Sequence, residues 1–194
     1  MVDLARLSLG YKLPAYFSQP LQELQQTIRR KAIVDMRWTA AGEFILPILQ
    51  FGEVSEMIIP RLNAILAAGC RATAPIELQL EGLVGLPNQV QPRYACLGLG
   101  GDVDRFEKLH LNIVDALSRV IGLPEGTLYH PLVMLGRLRQ EAEQTRVALG
   151  RGMRVMAPPH LGSFTLDAVH LLRATAAEGV SSVVEQAYPL GPNV

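Results

Sequence analysis

The side chains able to carry a proton or hold a metal are few in this chain, and they are scattered. There are four histidines, His110, His130, His160 and His170, and two cysteines, Cys70 and Cys96. They show no metal-ligand spacing, so no metal site and no cofactor are expected. Two thiols are poor grounds for a disulfide framework, and reduced, structural cysteines are the expectation. His110 falls beside the apolar stripe of a predicted helix, and His170 alternates with apolar neighbours on a predicted strand. Both read as structural. His160 follows Pro158-Pro159 and carries no assignment. His130 lies two residues before Leu132 and on a regular strand faces the same side. Glu43 is a lone carboxylate whose position alone recommends it. Gly98, Gly100 and Gly101 are too few and misplaced for a nucleotide-binding loop. Gly150-Arg151-Gly152 reads as a flexible turn rather than an RNA-binding box.

Two strands must position whatever chemistry there is. Gly42 to Val54 reads as a buried strand closing on a glycine turn, and Tyr129 to Arg137 reads as its partner. Around them, Ala5 to Leu9 has β character, and Ser18 is the expected cap of a helix with Leu21, Leu24 and Ile28 on one face. Arg29-Arg30-Lys31 suits that helix's C-terminus. Arg37-Trp38-Thr39 starts an extended piece. Ser55 is the expected cap of a second helix (Ile58, Leu62, Ile65, Leu66), with Pro60 near its start and Gly69 ending it. Glu77 to Glu81 alternates as a half-buried strand, and Arg93 to Leu99 is another. Asp102 caps the longest helix, whose stripe is Phe106, Leu109, Ile113, Leu117 and Val120, with Gly122 and Pro124 to stop it. Glu141 to Leu149 is predicted helical. Ser163 to Leu172 alternates as one late strand, and Val183 to Ala187 is a closing strand. The order gives an α+β protein with antiparallel pairing.

The composition excludes some classes of partner. With 18 basic and 18 acidic side chains, no net field draws the protein to RNA or to an anionic membrane. The N-terminus lacks a basic flank followed by an apolar core. No apolar run approaches the ~18 residues of a membrane span, so a cytoplasmic protein is expected.

Arg6-Leu7-Ser8-Leu9, Arg37-Trp38, Ile45 to Val54, Tyr129 to Arg137, and Phe164-Thr165 through Leu172-Arg173 together resemble the two-histidine phosphoesterases. That family is named for 2′-5′ RNA ligase and RNA 2′,3′-cyclic phosphodiesterase. The resemblance runs from about residue 5 to residue 190 and implies one domain over 1–194. Its fold would be two pseudo-symmetric lobes of small antiparallel sheets, with outer helices around a central groove.

In the family each lobe supplies one His-x-Thr. Residues two apart on a strand face the same way, so each motif presents an imidazole and a hydroxyl to one phosphate. One histidine acts as general base and the other as general acid. Here the matching positions hold Ile45 and Pro47, then Leu132 and Met134. None of the four can carry a proton. The resemblance therefore implies a non-catalytic homologue. Its groove would take a small phosphate-containing or apolar ligand, or would be packed shut as core. Arg137, Tyr129, His130 and Arg173 are the candidate binding residues that the resemblance leaves. The alternative is a divergent phosphodiesterase or RNA ligase-like enzyme using His130, Tyr129 and Arg137. Proline at 47 further predicts an edge strand or a locally altered one, because it removes a strand N–H.

Overall fold

The computed structural model describes residues 3–119, 121, 130–157, 159–175 and 181–191. Nine strands and four α-helices follow one another in these residues. They are β1 (Leu4–Lys12), α1 (Ser18–Ala32), β2 (Met36–Trp38), β3 (Ile45–Ser55), α2 (Ile59–Arg71), β4 (Ile76–Leu86), β5 (Tyr94–Gly101), α3 (Val103–Ser118), β6 (Val133–Leu138), α4 (Glu143–Arg154), β7 (His160–Leu166), β8 (Ala168–Ala174) and β9 (Ser182–Pro189). The strands form two antiparallel sheets, one ordered β3-β1-β8-β9 and the other β2-β6-β5-β4-β7. The α+β class is as expected.

Each sheet is backed by a pair of helices. α2 and α3 pack together against the four-stranded sheet, and α1 and α4 pack together, with α1 against the five-stranded one. The stripe of α1 is Leu21, Leu24 and Ile28, all buried as the spacing predicts, and that of α3 is Phe106, Leu109, Ile113 and Leu117. Val120, Gly122 and Pro124 lie outside the described residues.

The chain crosses between the sheets more than its linear order suggests. β2 joins the five-stranded sheet although β1 and β3, on either side of it in sequence, pair in the other. The expected single strand from Ser163 to Leu172 is two strands in different sheets, separated at Asp167. Alternation persists through the break, but its parity changes. Phe164 and Leu166 are buried on β7, whereas Val169 and Leu171 are buried on β8. Tyr11 ties the two sheets together at this point, since its ring stacks on both Phe164 and His170 and its hydroxyl donates to the Thr165 carbonyl.

Four local expectations need correction. Ser18 is not the cap of α1, because a 3₁₀ turn (Ala15–Phe17) runs directly into the helix and Phe17 takes the capping position. Gly69 does not end α2, which continues to Arg71, since Gly69 keeps helical backbone instead of the left-handed φ of a terminator. The strand expected from Tyr129 begins at Val133. Gly150-Arg151-Gly152 is helix, not a flexible turn.

The reason for the last lies in packing. A Cβ on Gly152 would sit 2.7 Å from Ala32 Cα, and one on Gly150 would sit 2.5 Å from the Val90 carbonyl oxygen. Gly152 lets α4 close onto α1, and Gly150 lets it close onto the Gln89-Val90 backbone. Mid-helix glycine costs about 1 kcal/mol relative to alanine, but overpacking costs about 1–3 kcal/mol. Gly152→Ala is therefore expected to destabilise the protein despite its better helix propensity. Urea unfolding checks this, and an increase in midpoint would overturn it.

Candidate functional site

The site is built on β3, on β6 and on Leu132 just before it, at the positions that the family resemblance singled out. On β3 the buried residues are Leu46 and Ile48, while Ile45 and Pro47 are half-buried on the opposite face. β3 is an edge of its sheet, where the missing N–H of Pro47 is tolerated. Beside Pro47 the β1–β3 register shifts and leaves Ile48 as an extra residue. His110 on α3 satisfies this bulge by donating from Nδ1 to the Ile48 carbonyl at 2.8 Å. Its structural reading therefore has a definite content: it holds the strand that carries Ile45 and Pro47.

β6 has a bulge of its own. Ala95 lies opposite Gly136 and Cys96 opposite Met134, which leaves Leu135 unpaired. The extra residue resets the alternation, so Met134 and Arg137, three apart, are both exposed while Leu135 and Gly136 are buried. The Leu135 carbonyl is taken up by Thr39 N–H at 2.9 Å and by the buried Gln25 Nε2 at 2.9 Å. Gln25 also donates to the Thr39 carbonyl, and Thr39 Oγ1 donates to the Met134 carbonyl. Thus α1 fixes both the end of β2 and the bulge in β6.

Between the two sheets lies an open cleft of about 630 Å³. Ile45 and Pro47 line it from one side, and Leu132 and Met134 line it from the other. Met134 is 45% exposed. The groove is not packed shut, which removes that branch of the expectation. Arg6, Arg37, Arg137, Tyr94 and Glu43 also line it. Among the candidate binding residues, Arg137 is in the cleft. His130 is exposed and is not part of the lining. Tyr129 lies outside the described residues.

Arg173 faces away from the cleft, whose lining takes its neighbours Leu172 and Ala174 instead. Its guanidinium is held by Glu185, at 2.8 and 2.9 Å, and by Glu56 at 2.5 Å. These bonds push its pKa up, and they leave it poorly placed to bind an anion. Arg6, Arg37 and Tyr94 were not identified as site residues from sequence. The signal for the two arginines was available in the outward positions of extended Arg6-Leu7-Ser8 and Arg37-Trp38.

None of the four histidines lines the cleft. His160 is exposed beside Glu81. His170 Nδ1 accepts the Lys12 N–H at 3.0 Å, so its ring is neutral in the fold. Burial lowers the pKa of His170, helped by Lys12 and opposed by Asp167. Burial likewise lowers that of His110, opposed by the Ile48 carbonyl and Glu107. The unfolded chain, with ordinary values near 6.5, therefore binds more protons once pH falls below about 6.5. Stability should decline from there toward the lowered native pKa values and should be fully present above 6.5. Urea midpoints between pH 7.5 and 5.5 check the sign, and a midpoint rising on acidification would contradict it. Both cysteines are buried, unpaired in disulfides and pushed up to about 12 by burial, which makes them unreactive as nucleophiles.

Two antiparallel sheets around a cleft, each with outer helices, define a fold seen in phosphoesterases. The structure of TT0787 of Thermus thermophilus matches with a TM-score of 0.77 at 20% identity, over 95% of this chain and 97% of that one. E. coli LigT complexed with 3′-AMP matches at 0.74 and 18%, over 97% and 99%. A structure described as a phosphoesterase matches at 0.73 and 20%, also over 97% and 99%. LigT has been crystallised with phosphate, ATP and NADP+ as well. No protein-family model and no curated protein matches the sequence. At these identities the likeness establishes the fold, which is the one the resemblance to two-histidine phosphoesterases implies. Among the described residues no helix is long and apolar enough to cross a membrane.

Proposed function

We propose that this chain is a non-catalytic homologue of the two-histidine phosphoesterases, a pseudoenzyme with a degenerate active site over one two-lobed domain of residues 1–194. In this reading its cleft binds a small ligand. One observation carries the reading: the four positions that face the cleft where the family places His-x-Thr are Ile45, Pro47, Leu132 and Met134, and no histidine of the chain replaces them there. A phosphoryl transfer without a metal needs a group to take a proton and a group to give one. Glu43 is a single carboxylate, and the arginines stay protonated.

The rival reading, a divergent phosphodiesterase, has Arg137 in place but depends on His130, which stands outside the lining. A cytoplasmic location fits both readings. An RNA partner gains no support from the zero net charge. The test is hydrolysis of a nucleoside 2′,3′-cyclic phosphate by the purified protein, with no turnover expected.

A further inference from the structure

The composition of the cleft points to a more specific ligand. Arg37 on β2 lies directly opposite Arg137 on β6, and Arg137 lies directly opposite Tyr94 on β5. Residues in register on neighbouring antiparallel strands put their side chains on the same face. The row Arg37, Arg137, Tyr94 therefore sets two cations and a phenol side by side on one wall. Two guanidinium groups on one wall can hydrogen-bond to a single carboxylate or phosphate. Arg6 contributes a third guanidinium from the other sheet. Its cross-strand neighbour is Glu53, yet among the described residues no ion pair joins them, and Arg137 likewise has no carboxylate partner. Among the described residues, Arg6, Arg37 and Arg137 line the cleft together with one carboxylate, Glu43.

Ser8, Gln50, Ser181 and Ser182 also line the cleft, but the apolar patch between the two sheets disfavours a sugar lying on it. Ile45, Pro47, Leu132 and Met134 present no hydrogen-bonding side-chain group other than a thioether, a weak acceptor. The nearby Thr39 hydroxyl is already committed to the Met134 carbonyl. Ribose hydroxyls laid on this surface would be desolvated without partners, an unfavourable exchange. Hydrocarbon laid there would be favoured. The volume suits a small organic ligand.

Building on the ligand-binding reading above, we propose that the cleft binds an amphipathic anion: a carboxylate or phosphate head held by Arg37, Arg137 and Arg6, with an apolar body over Ile45, Pro47, Leu132 and Met134. Trp38 lines the same cleft and is the chain's single tryptophan, so its fluorescence reports occupancy directly.

The experiment titrates the full chain with octyl phosphate, octanoate, octanol, inorganic phosphate and 3′-AMP, following Trp38 emission and confirming by calorimetry. Octyl phosphate or octanoate should bind at least tenfold more tightly than phosphate, octanol or 3′-AMP. Arg137→Gln should weaken the octyl anion at least tenfold. Met134→Asn should weaken the octyl anion while leaving inorganic phosphate unchanged, with circular dichroism showing both variants folded. Equal binding of octanol would overturn the role of the arginines. Binding of 3′-AMP as tight as that of octyl phosphate would overturn the amphiphile while leaving a ligand-binding pseudoenzyme intact. No binding by any of the five would overturn both.

Discussion

Incubated with a nucleoside 2′,3′-cyclic phosphate, the protein is expected to yield no product above a buffer control. The magnitude follows from what is missing. Each general acid or base is typically worth ~10²–10⁴ in rate. With both imidazoles absent, the loss relative to a two-histidine enzyme is on the order of 10⁴ at least, before the hydroxyls that would hold phosphoryl oxygens are counted. Ile45, Pro47, Leu132 and Met134 line an open cleft beside Arg137, and the proposed function takes these as the motif positions. The combined variant Ile45→His, Pro47→Thr, Leu132→His and Met134→Thr should therefore gain measurable turnover over wild type. Robust hydrolysis by the unaltered protein, abolished by His130→Ala, would sink the pseudoenzyme reading. Failure of the combined variant would instead mean that the two bulges no longer hold the motif positions at catalytic distance.

The second large effect separates the two faces of β3. Leu46→Ala should cost about 2–5 kcal/mol, since Leu46 is 0% exposed in the core and its truncation leaves a cavity. Its neighbour Ile45, half-buried at the cleft, should cost well under that when changed to alanine, because solvent or ligand can occupy the space. Urea denaturation of both variants makes the comparison. Equal, large losses would show that Ile45 belongs to the core, and with it the cleft would lose its claim to be a binding site.

The four cleft positions Ile45, Pro47, Leu132 and Met134 were legible through the family resemblance, and strand alternation gives the physical reason for the first pair. Ile45-Leu46-Pro47-Ile48 has the period of two that places the first and third residues together, and Pro47, expected at an edge or in an altered strand, sits at an edge beside a register shift. The bulge at Leu135 was not legible. An extra residue in a strand leaves no mark on composition, and the apolar run Leu132 to Leu135 hides it. The Arg37–Arg137 row was equally hidden, because it depends on a three-residue strand pairing with a distant segment. The break at Asp167 was missed since the alternating pattern continues through it while the backbone changes sheets. Arg173 was a reasonable candidate by type, but sequence could not reveal that Glu56 and Glu185 would claim it.

The middle position of β1 in its sheet has a consequence for biogenesis. One of its edges is completed early by β3, but the other waits for β8, with Leu7 meeting Arg173. A ribosome emits the first long before the second, so the nascent chain exposes an apolar strand edge for most of its synthesis. Such an edge invites pairing with other chains until its proper neighbour emerges. Slow, non-local closure of this kind is a kinetic liability, and holdase chaperones are the natural remedy for it.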